Sequence, residues 1–173
     1  MTQDASRTQG RIAYEVLTAR EAALLEALAD RVFPTTDTPG AVEAGAVAYV
    51  DTALAEAYRD HLPRYRRGLR EIERYARERK GRPFRELGPA EQDELLRDLE
   101  AGNATTVHRG AAFFELVRDH ILEGIFGDPQ YGGNHDLIGW QLVGFPGQRT
   151  GYPDAYINRV VDLPPVASGM GDS

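Results

Sequence analysis

Apolar residues return along most of this chain at the three- and four-residue spacing of an amphipathic helix. Leu24, Leu25, Leu28 and Val32 share one face of a first helix over residues 18–32. Thr18 and Glu21 have the spacing of a capping box, in which each side chain satisfies a free backbone N–H of the other. Phe33-Pro34 stops that helix, and the breaker-dense run to Gly40 is a loop. A second helix is predicted over 41–58, with Val42, Ala46, Val50, Ala53, Leu54 and Ala57 as its stripe; the alanines imply close packing. Pro63 opens a third, where a missing N–H does no harm; Tyr65, Leu69, Ile72 and Ala76 keep its period up to Lys80, and Gly81 ends it. Leu87-Gly88-Pro89 starts a fourth, with Leu95, Leu96 and Leu99 inward and Gly102 at its end. Thr105 or Thr106 caps a fifth, whose Phe113, Phe114, Val117, Ile121 and Ile125 make the most apolar face of the chain. No segment sustains a period of two. The expectation is an all-α fold, a compact bundle of about five helices followed by a Gly/aromatic-rich loop region.

That loop region, residues 127–151, breaks the pattern. It is dense in Gly, Pro and aromatics, with a short helix expected over 137–142. A loop of this length is usually functional or disordered, and its aromatics are unlike a disordered composition. The predicted organisation is a flexible segment over 1–16, a helical domain over 17–151 and a partly disordered extension over 152–173, with Pro164-Pro165 and Ser168-Gly169 in a loose tail.

Composition narrows the chemistry. The chain has 173 residues, enough for one core, and a net charge of −7. Acidity argues against nucleic acid and anionic membranes as partners. The absence of cysteine removes disulfides, thiolate nucleophiles and Fe–S clusters. No stretch approaches the ~20 apolar residues of a membrane span. As written, the sequence carries no export signal, so the cytoplasm is the expected location, with the periplasm reached by co-export on a partner as the alternative.

The candidate catalytic groups are sparse. His120 and Glu123 stand on one helix face, and His135-Asp136 lies in the glycine-rich loop; together they could ligate a metal or exchange protons. The di-iron bundle pattern is Glu-x-x-His on two helices, and no acidic residue here has a histidine three positions later. Nor is there a G-x-S-x-G elbow or a G-x-G-x-x-G after a strand. No catalytic, cofactor-binding or metal residue is therefore assigned. Arg64, Arg66, Arg67 and Arg70 form a basic patch that reads as a solvated helix face balanced by Glu71 and Glu73. Tyr131, Trp140, Phe145 and Tyr152 either pin their loop to its own core or anchor a partner.

The run Leu122-Glu123-Gly124-Ile125-Phe126-Gly127-Asp128-Pro129-Gln130-Tyr131-Gly132-Gly133-Asn134, followed by Gly139-Trp140 and Gly144-Phe145-Pro146-Gly147, resembles the signature of gluconate 2-dehydrogenase subunit 3. Leu28 to Pro34, Asp37 to Ala41 and Ala44-Gly45 extend the resemblance, which covers roughly Leu17 to Gly147. It implies a small non-catalytic subunit of a flavin-dependent dehydrogenase that oxidises sugars, sugar acids or related alcohols. The large subunit, of the glucose–methanol–choline (GMC) type, would hold FAD, and a cytochrome c subunit would take the electrons in many systems. The small subunit would bind no cofactor and would support folding, stability or export of the large one. The partner-binding residues expected are Tyr131, Gly132, Gly133, Asn134, Trp140 and Phe145, with Tyr131 and Trp140 as anchors and Asn134 fixing the turn through backbone hydrogen bonds. A free-standing helical adaptor or chaperone, and a small enzyme using His120, Glu123, His135 and Asp136, are the competing readings.

Overall fold

The computed structural model describes residues 14–147 and 164–167. The described residues form six α-helices: α1 (Ala19–Val32), α2 (Ala46–Ala55), α3 (Leu62–Lys80), α4 (Pro89–Glu100), α5 (Gly110–Phe126) and α6 (Ile138–Val143). The all-α bundle is as expected, with the short loop helix as its sixth member. Most of the expected segments 1–16 and 152–173 lies outside the described residues.

Local chemistry sets most boundaries. Thr18 and Glu21 form the reciprocal capping box at the start of α1. Gly81, at φ 72°, ends α3. The second helix begins later than its alanine run suggests, because Gly45 takes φ 70° and breaks the register before Ala46. Val42 is consequently exposed rather than inward. The fifth helix is not capped by Thr105 or Thr106. Arg109 sits at its N-cap with φ 52° and makes no side-chain cap bond. Thr106 instead gives its carbonyl to Arg74 at 2.6 Å.

Helix α5 is the axis of the bundle, packed on α1, α2, α3, α4 and α6. Its Phe113, Val117, Ile121 and Ile125 are buried among Leu25 and Leu28 of α1, Val50 and Leu54 of α2, Leu69 and Ile72 of α3, and Leu95 and Leu99 of α4. Each such side chain contributes about 1.5–3 kcal/mol by leaving water. Phe113 reaches α3 because position 68 is glycine; a Cβ there would lie 2.2 Å from the ring.

Polar groups fix the periphery. Buried Asp51 on α2 accepts backbone N–H bonds from Glu15, Val16 and Leu17, so the chain entering α1 is held against α2. Arg31 joins α1 to Asp93 of α4 at 2.9 Å, and Lys80 joins α3 to Glu94 of α4 at 2.7 Å. Such partly exposed pairs contribute at most about 1 kcal/mol each. Among the described residues, no helix is long and apolar enough to cross a membrane.

Candidate functional site

The end of α5 leaves backbone carbonyls without helical partners, as every helix does. Here the glycine-rich loop supplies the donors. Asn134 N–H donates to Gly124 O at 2.7 Å, and its side-chain amide donates to Gly127 O at 2.9 Å. The Trp140 indole donates to Phe126 O at 2.9 Å. Asn134 then accepts from Gly139 N–H at 2.8 Å through its side-chain oxygen. One fully buried asparagine therefore ties the helix end, the loop and the start of α6 into a single knot.

The backbones in this knot approach too closely for side chains. A Cβ at Gly133 would lie 2.2 Å from Gly124 O, and one at Gly139 would lie 1.9 Å from Ile125 O. The two halves of the sequence signature meet here as well. His135 N–H donates to Ala44 O at 3.0 Å, and the His135 ring covers Gly45, where a Cβ would sit 2.2 Å away. Gly124 lets α5 cross α2 against the backbone of Ala46. The knot also holds strain: Asn134, Asp136 and Leu137 have φ of 46°, 53° and 60°. Asn and Asp tolerate the left-handed region, but a branched leucine is uncommon there. Such conformations persist only where their surroundings enforce them.

The six expected partner-binding residues divide into two groups. Gly133, Asn134 and Trp140 are interior, and Trp140 is only 5% exposed. Tyr131 is 56% exposed and Phe145 42% exposed, while Gly132 is intermediate. Trp140 supports Phe145 edge-on, with ring centroids 4.9 Å apart. With Phe126, Asp128 and Val143 they line a groove of about 370 Å³. Val143, at 61%, is more exposed still and was not among the expected residues. Hydrophobic periodicity hides it, because α6 is too short to show which face turns outward. Val166 returns to this end, donating its N–H to Pro146 O at 3.1 Å.

The four residues of the enzyme reading do not converge. Buried His120 meets the Tyr65 hydroxyl at 2.9 Å through Nδ1 and stacks on Tyr58 at 4.5 Å. Burial pushes its imidazole below the ordinary histidine range, with the Glu123 charge opposing the shift. Glu123 accepts from the Tyr49 and Tyr58 hydroxyls at 3.0 and 3.2 Å. Burial, reinforced by this carboxylate, raises both phenols. His135 belongs to the knot, facing Gly132 O, and Asp136 is exposed beside it. Among the described residues, no three His, Asp or Glu side chains stand close enough to hold a metal ion. The basic patch is partly engaged in structure: Arg64 donates to Ala112 O and Arg66 to Val16 O.

Sequence reasoning did not single out Tyr49, Tyr58 or Glu56. They line a second groove, of about 250 Å³, together with Tyr131. Their spacing on α2 and just beyond it was visible, but only the return of the loop brings Tyr131 over them. A family model described as gluconate 2-dehydrogenase subunit 3 matches residues 19–147. No curated protein and no solved structure matches the chain.

Proposed function

Because the chain belongs to the gluconate 2-dehydrogenase subunit 3 family, which implies a multi-subunit dehydrogenase, we propose that it is the non-catalytic small subunit of such an enzyme. In this reading the large subunit is a GMC-type flavoprotein that oxidises a sugar, sugar acid or alcohol. The small subunit binds it and stabilises its folded form by mass action. A cytochrome c subunit as electron acceptor, and co-export to the periplasm, belong to the same proposal.

The observation that carries this reading is where the apolar surface lies. The large hydrophobic side chains exposed among the described residues are Val42, Tyr131, Val143 and Phe145. Three of these are on or beside the knot, and the fourth is in the turn that leads to Gly45. Apolar side chains exposed together, as Val143 and Phe145 are on one groove, mark an interaction surface. The strained backbone beneath them keeps that surface preformed, which lowers the ordering cost of association.

FAD is assigned to the large partner. A flavin dinucleotide needs donors for its pyrophosphate, commonly a glycine-rich turn at a helix N-terminus. The groove at Tyr131 offers a carboxylate, Glu56, instead, and the sequence has no nucleotide fingerprint.

The test is expression of the flavoprotein with and without this chain. Alone, the flavoprotein should be poorly soluble or poorly loaded with FAD. Equal yield, flavin content and activity without the small chain would sink the reading. With Val143→Ser and Phe145→Ser combined, the small subunit should stay folded and lose the complex.

A further inference from the structure

The groove between α2 and the loop differs in chemistry from the apolar groove at Phe145. Its walls are the rings of Tyr49, Tyr58 and Tyr131, and Glu56 lies among them. A second carboxylate, Glu123, is held beside it by the hydroxyls of Tyr49 and Tyr58. Both carboxylates are exposed. Neither takes part in an ion pair among the described residues. The nearby cations bond to backbone rather than to these carboxylates: Arg59 donates to the carbonyl of Glu56 itself, and Arg64 to that of Ala112. His120, which faces this cluster from α5, is favoured in its neutral form by burial.

Aromatic faces attract a cation through their quadrupoles, and an uncompensated carboxylate adds to that attraction. An ordinary apolar docking groove has no use for two unpaired carboxylates, whose desolvation would weaken an apolar contact. We propose that this groove takes a basic side chain, arginine or lysine, projecting from the large flavoprotein subunit; the proposal rests on the accessory-subunit reading. The net charge of −7 points the same way, because an acidic chain steers toward a basic surface.

The experiment uses the full chain with the flavoprotein that co-purifies with it, and measures the dissociation constant over a range of salt. Glu56→Gln and Tyr131→Leu should each weaken the complex about tenfold at low salt, as loss of a charged or aromatic anchor does. Glu56→Gln should also flatten the salt dependence. Both residues are exposed, so both variants should melt like the parent chain. In the isolated chain, N-acetyl-arginine amide should shift the tyrosine ring resonances saturably, and Glu56→Gln should suppress that shift. Wild-type affinity and salt slope in both variants, while Val143→Ser with Phe145→Ser still dissociates the complex, would overturn the cation groove and leave the accessory role standing. A wild-type chain that retains no flavoprotein would overturn both.

Discussion

Four helices of this bundle end next to glycine, and they end in two different ways. Helices α3, α4 and α6 stop at Gly81, Gly102 and Gly144, each in the left-handed region, with nothing within 4 Å of where a Cβ would point. Those ends are local and face solvent. Helix α5 stops at Gly127 in extended backbone, and its carbonyls are satisfied by residues as distant as Asn134 and Trp140. The first solution needs one permissive residue. The second needs several glycines, a buried asparagine and a tryptophan in fixed relation. A terminus built the second way becomes a rigid platform, and the exposed Tyr131, Val143 and Phe145 stand on it.

Breaking the platform should be far more damaging than breaking a local end. Trp140→Ala removes a buried ring and the bond to Phe126 O, and should destabilise the isolated chain by about 3–5 kcal/mol; thermal melting reads this. Gly139→Ala, with a Cβ meant to fit 1.9 Å from Ile125 O, should cost about 3 kcal/mol by forcing α6 off the helix end. Asn134→Ala leaves the Gly139 N–H and the Gly127 carbonyl without partners, at about 2–3 kcal/mol. Gly81→Ala should cost only about 1 kcal/mol, the strain of a left-handed alanine in open space. A Gly81→Ala loss equal to that of Gly139→Ala would erase the distinction between the two kinds of terminus.

The smallest effect concerns pH. Burial lowers the folded-state affinity of His120 for a proton. The unfolded chain, with an ordinary histidine value of about 6.5, then binds the proton first. Stability from this residue is complete above that value and is lost as pH falls below it toward the depressed folded value. Chemical denaturation at pH 7.5 and 5.5 should show the loss, and His120→Gln should reduce it. A pH dependence unchanged by that substitution would mean other groups carry it.

What the sequence made legible was whatever local chemistry decides. Thr18 with Glu21, the Gly81 stop and the Phe113–Ile125 face were all readable, because a cap or a periodic stripe is set within a few residues. The start of α2 was not, since an alanine-rich run looks helical from Ala41 onward, and only the His135 ring over Gly45 explains the break. The placement of Trp140 could not be read either. Its indole bond to Phe126 O depends on the loop folding back across fourteen residues. Tyr65 and His120, fifty-five residues apart, are a similar case: each lies on a clean helical stripe, and their pairing appears only when α3 and α5 pack.

Trp140 is also the sole tryptophan of the chain. Its indole is buried and hydrogen-bonded within the knot, so intrinsic emission on selective excitation comes from that one place. Far-ultraviolet dichroism, by contrast, averages over every helix. A red shift in emission without loss of helical signal would mean that the end of α5 had opened while the bundle stayed intact. Because Phe145 lies edge-on to the same ring, a molecule settling on the adjacent surface should perturb the same signal. The protein therefore carries a built-in optical label at the region assigned to partner contact, and occupancy can be followed without attaching a dye.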